Sequence, residues 1–347
     1  MKSNVVNTGK GSISRRDFTK KSVLAIAALG TAGLIGYGVF NTKKLRTINN
    51  VHRMGHCAPS IMQTLLDIND VQNTNMVKYS GAMAGGIAGS NMECGALTAP
   101  LMFMGFQNNN LTGISEKLDI INKAQSFVNE FIAFNGSSIC SRIRQGDMSE
   151  CKRAMYNFHK PFIKAVSTPD RLSDEAKESY SLLLKTFDDN KFHCAHGVLN
   201  NLNSNFLITK ELLDSSWLFI GGIALLNRTC GALAAGVMAL SSVTAKIENS
   251  YSRVARMNRL LRHENNEAMN GEINNFNRSI NCSEELGIWF RNEFGFTTCH
   301  DMWGFNFSKI KDAESFIAGH CMNHCDYLAK KVAQKVNMMI SQSPEKL

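Results

Sequence analysis

Proline is nearly missing from this chain, with five in 347 residues, about a quarter of ordinary usage. Few breaks are forced on a helix, and the expected fold class is mainly α. Several short signatures are also missing. There is no C-x-x-C, so neither a zinc ribbon nor a bacterial ferredoxin run is written. There is no C-x-x-C-H, so no covalent c-type haem is expected. G-x-S-x-G, H-E-x-x-H and P-loop patterns do not occur, which leaves the common hydrolase, zinc-protease and nucleotide sites without support. Net positive charge is scarce outside the front end. Residues 1–46 carry a net +8 of the whole chain's +9, which leaves +1 for residues 47–347. A nearly neutral body has no electrostatic footprint for nucleic acid.

The basic front end has its own pattern. Ser14-Arg15-Arg16-Asp17-Phe18-Thr19-Lys20 resembles the twin-arginine export signal, S-R-R-x-F-x-K, at every defined position. An uncharged run from Ser22 to Phe40 follows. As a helix its 19 residues would reach about 28 Å, close to a bilayer core. The resemblance implies the twin-arginine translocase as a partner and an exported, periplasmic or other extracytoplasmic location. No clear A-x-A cleavage site follows, so a retained membrane anchor is one reading. Lys43, Lys44 and Arg46 beyond the run suit a positive-inside anchor poorly and favour cleavage. The pathway moves folded proteins, often with a cofactor already inserted.

The body is written twice. GGIAGSNMECGALTAPLM (85–102) aligns with GGIALLNRTCGALAAGVM (221–238) at eleven identical positions of 18, where unrelated sequences would share about one. His56-Cys57-Ala58 is echoed by His193-Cys194-Ala195, and the Cys57–Cys94 and Cys194–Cys230 separations are 37 and 36. Asn129-Glu130-Phe131 recurs as Asn292-Glu293-Phe294, and Gly136 and Gly295 each stand four residues before a cysteine, Cys140 and Cys299. The chain divides into a signal or possible anchor (1–46), a first cysteine unit (47–165) and a second (166–347) with a polar, Asn-rich insertion near 244–281. The expected architecture is two pseudo-repeated helical units packed together.

Periodicity and capping residues predict a helix over 116–134 started by Ser115 and stopped at Asn135-Gly136. A second, over 174–187, starts from Ser173, and a long last helix covers 312–340. The apolar segments 80–106 and 216–243, interrupted by Glu93 and Arg228, read as buried core helices rather than membrane spans.

The cysteines carry the chemistry. Unit one supplies Cys57, Cys94, Cys140 and Cys151. Unit two supplies Cys194, Cys230, Cys299 and either Cys321 or Cys325; Cys282 has no counterpart. Four thiols per unit match the ligand count of an iron–sulfur cluster, although the spacings are wide. If a helix starts at Cys94 and Cys230, its N-terminal partial charge favours the thiolate that metals require. Cys321 and Cys325, four apart, would share one helix face. Five of the nine histidines (His56, His193, His300, His320 and His324) stand next to a cysteine, as ligands, as donors to cluster sulfur, or as polar groups at helix ends.

The order Cys, CGAxxG, Cys, Cys resembles a family of redox proteins named after that pattern, to whose broad group split-Soret cytochrome c also belongs. The matching positions are Cys57, Cys94-Gly95-Ala96, Cys140 and Cys151, then Cys194, Cys230-Gly231-Ala232, Cys299 and Cys321 or Cys325. Ala99 and Ala235 replace the final Gly of that pattern. The resemblance implies a tandem duplication, redox activity, an iron–sulfur centre and an electron-transfer protein as partner. The expected function is thus an exported protein that binds iron–sulfur clusters and transfers electrons. The alternatives are a metal-free thiol–disulfide redox protein and a nonredox structural protein with buried or crosslinked cysteines.

Overall fold

The computed structural model describes residues 33–108, 111–145, 147–247, 249–260 and 267–342. The twin-arginine motif lies outside them, as does the start of the apolar run after it. Among the described residues there are helices and turns but no strand, only two isolated β-bridges, Glu93–Ile139 and Thr229–Thr298. No described helix is long and apolar enough to cross a membrane.

The first unit runs α1 (Gly33–Met54), α2 (Cys57–Ile68), α3 (Thr74–Tyr79), a 3₁₀ turn (Gly81–Met83), α4 (Gly95–Gln107), α5 (Ile114–Asn135), α6 (Cys140–Arg144), α7 (Met148–Asn157) and α8 (His159–Ser167). The second runs α9 (Asp174–Asp189), α10 (Cys194–Leu199), α11 (Lys210–Ser216), a 3₁₀ turn (Trp217–Phe219) and α12 (Gly231–Thr244). After α13 (Tyr251–Leu260) and α14 (Glu267–Phe276) it resumes as α15 (Arg278–Phe294), α16 (Cys299–Trp303), α17 (Ile310–Ala318) and α18 (Cys321–Ser341).

Two predicted elements form with adjusted ends. Ser173 caps α9, its hydroxyl accepting from the Ala176 N–H at 3.2 Å. Ser115 is not the cap of α5. The chain enters at Gly113, and the Glu116 carboxylate turns back to accept from the Thr112 and Gly113 N–H groups at 3.0 and 3.3 Å, the glutamate half of a capping box. Gly136 closes α5 and Gly295 closes α15, both left-handed at φ +77° and +83°. Counting back five residues from each cap reaches Phe131 and Phe290, both fully buried. These are the equivalent pair, so the recurrence of Asn-Glu-Phe is displaced by one helical turn and marks no equivalence.

Three expectations change. The apolar segments 80–106 and 216–243 are buried, but each is a 3₁₀ turn, a left-handed loop and then a core helix. The last helix is broken at Gly319-His320, where His320 takes φ +55°. The break makes Cys321 the first residue of α18 rather than a mid-helix position. The described part of the insertion near 244–281 holds two helices of its own. Its α13 packs on α1, and Phe276 of α14 lies against the His56 ring, centroids 4.5 Å apart.

The two units interlock rather than sit side by side. Helix α4 of the first packs on α11 of the second, and α12 of the second on α3 of the first, a pseudo-twofold exchange. Both α4 and α12 are apolar all round and buried along nearly their whole length, as a central helix must be. One hydrophobic core runs through both units, from Met54 to Ile340. Truncation in either unit therefore weakens the whole. Phe131→Ala and Phe290→Ala are each expected to cost about 3–5 kcal/mol and to lower the urea midpoint of one common transition, followed by far-ultraviolet circular dichroism, which reads the helices of both units. Two separated transitions would show that the copies fold independently.

Candidate functional site

The repeated cysteines stand where helices begin. Cys57, Cys140, Cys194, Cys299 and Cys321 are the first residues of α2, α6, α10, α16 and α18, and Cys94 and Cys230 are the N-caps of α4 and α12. Cys151 lies in the first turn of α7, and Cys325 one turn into α18. The preceding histidines set the entry. His56 and His193 have extended backbones. Their Nε2 atoms lie 3.2 and 2.9 Å from the Phe276 and Trp217 carbonyl oxygens, and a carbonyl only accepts, so Nε2 carries the proton. His193 Nδ1 is then free to accept from the His196 N–H at 3.2 Å. These two imidazoles hold the chain; they are not turned to the thiols as ligands.

Between each 3₁₀ turn and the next helix the backbone winds left-handed. Gly85, Gly86, Ile87, Ala88, Gly89 and Asn91 have positive φ in the first unit, and Gly221, Gly222, Ile223, Ala224, Leu225 and Asn227 in the second. The bonds repeat. Ala88, Asn91 and Met92 N–H groups donate to Ala82, Gly85 and Gly86 at 2.7, 3.1 and 3.0 Å. Ala224, Asn227 and Arg228 donate to Leu218, Gly221 and Gly222 at 2.7, 3.1 and 2.7 Å. Each L-residue held in this hand costs roughly 1–2 kcal/mol, and such strain collects at functional sites.

The loop pins distant cysteines together. The Cys94 N–H donates to the Ser138 carbonyl at 2.8 Å, and the Cys140 N–H to the Met92 carbonyl at 2.7 Å. In the second unit Cys230 donates to Thr297 at 2.9 Å and Cys299 to Arg228 at 2.8 Å. The next residue after each CGAL cysteine admits no side chain. A Cβ on Gly95 would stand 2.6 Å from Cys57 Sγ, and one on Gly231 2.6 Å from Cys194 Sγ. Cys57 thus lies against Gly95 and Cys140 against Gly86, as Cys194 lies against Gly231 and Cys299 against Gly222. Cys151 and Cys325 complete the sets, each feeling the fields of the other thiols of its unit. Cys194, Cys230, Cys299 and Cys325 line a narrow cavity of about 20 Å³, partly open to solvent and walled by Phe187, Trp303 and Phe316. Cys321 is not among its lining residues; its thiol lies 3.9 Å from the Gly319 carbonyl. Cys282 stays buried in α15. All ten cysteines are unlinked thiols.

Burial decides their protonation. It pushes the Cys94, Cys299 and Cys325 thiols well above the ordinary range, Cys140 to about 11, and Cys151 and Cys194 to about 12. Neighbouring thiols add to the rise at Cys94, Cys140 and Cys151. Backbone N–H groups act the other way, those of Gly85, Ala58 and Gly95 on Cys57, and those of Gly221 and Ala195 on Cys194. The expected thiolates at helix starts are therefore overruled: in a water-poor site desolvation exceeds the partial charge of a helix end. A bound cation reverses the balance by displacing the protons.

The donors fit a sulfur-ligated group: four thiols per unit, amides directed at sulfur, and glycines where a side chain would intrude. Among the described residues no three His, Cys, Asp or Glu side chains stand close enough to share a single metal ion.

The profile of the family described as "Putative redox-active protein (C_GCAxxG_C_C)" matches the chain twice, over residues 55–162 and 192–339. No curated protein and no solved structure matches significantly. The pattern in that name reads G-C-A-x-x-G, which shifts the expected alignment. Its first glycine falls on Glu93 and Thr229, its alanine on Gly95 and Gly231, and its last glycine on Thr98 and Ala234, not on Ala99 and Ala235. Sequence reasoning passed over Glu93 and Thr229, although their unlike chemistry in the middle of a near-identical stretch was the available signal.

Gly231→Ala is expected to destabilise the chain by about 1–3 kcal/mol and to speed alkylation of Cys194, since its Cβ also meets the Phe219 carbonyl oxygen, which is backbone and cannot swing aside. Urea unfolding and iodoacetamide labelling check both. The raised thiols also set a pH dependence. Folded Cys140, Cys151 and Cys194 keep their protons up to about 11–12, whereas unfolded cysteine loses its proton near 8.5. Their contribution is whole below about pH 8.5 and is lost as pH rises toward 12. The urea midpoint of cofactor-free protein should therefore fall between pH 8 and 10.5 (chosen as roughly bracketing those values), and a flat midpoint would contradict the burial.

Proposed function

The chain belongs to the redox-active C_GCAxxG_C_C family, and we propose that it is an exported electron carrier holding one iron–sulfur cluster in each unit. The first set is Cys57, Cys94, Cys140 and Cys151; the second is Cys194, Cys230 and Cys299 with Cys325. The observation that carries this reading is the double pin in each unit, Cys94 to Ser138 with Cys140 to Met92, and Cys230 to Thr297 with Cys299 to Arg228. These are main-chain bonds, and what they supply is proximity between cysteines far apart in sequence.

An iron–sulfur cluster supplies one-electron redox chemistry when bound. The chain's own residues do the rest. The amides of Gly85, Gly95 and Gly221 point at sulfur and stabilise its negative charge, which raises a potential, while the apolar walls limit water and lower it. The twin-arginine motif at Arg15-Arg16 supports export after the protein has folded around its cofactor, and an external electron-transfer protein is the partner. In the second unit Cys325 is the fourth ligand and Cys321 stands beside it.

A second reading rests on Cys321 and Cys325. One turn apart on α18, with Cys321 outside the cavity, they suit a metal-free protein that cycles between thiols and disulfide.

Anaerobically purified protein from a host able to build clusters should be brown and contain iron and acid-labile sulfide. Cys94→Ser and Cys230→Ser should each remove about half of the iron, one cluster of the two expected from the four-thiol count per unit. Colourless protein without iron or sulfide would sink the electron-carrier reading and leave the thiol–disulfide one, whose free-thiol count changes on reduction.

A further inference from the structure

The two centres meet at a seam built from equivalent positions. Alignment of residue 85 with 221 puts Glu93 opposite Thr229, and in the fold these two residues touch. Glu93 is 2% exposed and Thr229 fully buried. The Thr229 hydroxyl donates to Glu93 Oε2, and its N–H reaches Oε1 at 3.5 Å. Each residue is covalently next to a cysteine of its own set, Cys94 and Cys230.

A second bridge runs beside the first. Arg228 Nη1 donates to Ser138 Oγ at 2.6 Å. The Ser138 carbonyl holds the Cys94 N–H, and the Arg228 carbonyl holds the Cys299 N–H, both at 2.8 Å. Both routes therefore begin on the backbone of a first-unit cysteine and end on that of a second-unit cysteine. Aligned on its cysteine, the pattern in the family's name has glycine where Glu93 and Thr229 stand. A buried carboxylate costs several kcal/mol of desolvation unless it is paired; the positive charge of Arg228 acts on Glu93 and offsets part of that cost.

We propose that the Glu93–Thr229 contact couples the two cysteine centres, so that the redox state of one sets the potential of the other. This rests on the electron-carrier reading. Glu93 and Thr229 are positioning residues: a shift of Cys94 as its centre gains an electron is passed through the carboxylate–hydroxyl bond to Cys230, and the reverse holds equally, since coupling between two equilibria is reciprocal. No proton or external reactant enters the coupling itself; each centre takes one electron from the reductant supplied.

The test is a double-mutant cycle on reconstituted full-length protein, with dithionite as electron donor and paramagnetic resonance as readout of the second-unit centre. Four chains are compared: the natural one, Thr229→Val, the pair Cys57→Ser with Cys140→Ser that removes the first centre, and all three changes together. Removing the first centre should change the reduction equilibrium of the second by about tenfold, about 59 mV for one electron, when Thr229 is present. With Thr229→Val the change should be well under half of that. Thr229→Ser keeps the hydroxyl and should show the full shift. Glu93→Gly, which restores the residue of the pattern, cuts the contact from the other side and should behave like Thr229→Val, which covers a valine variant that fails to fold. Equal shifts with and without the hydroxyl would overturn the coupling while leaving the clusters in place. Absence of iron and sulfide from the natural chain would remove both the electron-carrier reading and the coupling.

Discussion

The two cysteine sets depend on a backbone turn of the unfavourable hand. Between Gly85 and Asn91, and again between Gly221 and Asn227, the chain holds L-residues in a left-handed winding that would unwind if left alone. What holds it is the tertiary frame: carbonyls of the preceding 3₁₀ turn on one side, and the cysteine-bearing helix start on the other. Through that turn Met92 and Arg228 present the carbonyls that fix Cys140 and Cys299. Remove it, and the first two cysteines of a unit keep no fixed relation to the third.

The site is also a contest between two electrostatic effects. Helix starts and loop amides favour negative sulfur, and burial opposes it. Burial wins at every cysteine of the two sets whose shift is resolved. The amides are not thereby idle. They aim at sulfur and lower the cost of charging it.

Duplication explains both the symmetry and its exceptions. The interlocked packing of α4 with α11 and α12 with α3 gives one core, so neither copy is free to drift as a separate domain. On the axis, equivalent positions must face each other, and identical charged residues there would repel. Glu93 against Thr229 resolves that with unlike partners. The helical insertion α13–α14 breaks the symmetry on one side only, packing on α1 and against His56.

Much was legible in the sequence because it is carried by local or repeated residue types. Scarce proline and the 3.6-residue periodicity determined helices; Ser173 determined a cap; Gly136 and Gly295 determined two stops. Eleven shared positions determined a duplication and paired Cys94 with Cys230. What escaped is what depends on contacts between distant segments. Nothing local distinguishes a left-handed Ile-Ala from a helical one, because its conformation is imposed by partners such as Ala82 and Leu218. Nothing local shows that Glu93 will find Thr229, or that Cys325 and not Cys321 turns into the cavity. Side-chain chemistry and periodicity belong to the chain itself. Burial, and with it the protonation of every thiol and the worth of every charge, exists only once the two units have closed on each other.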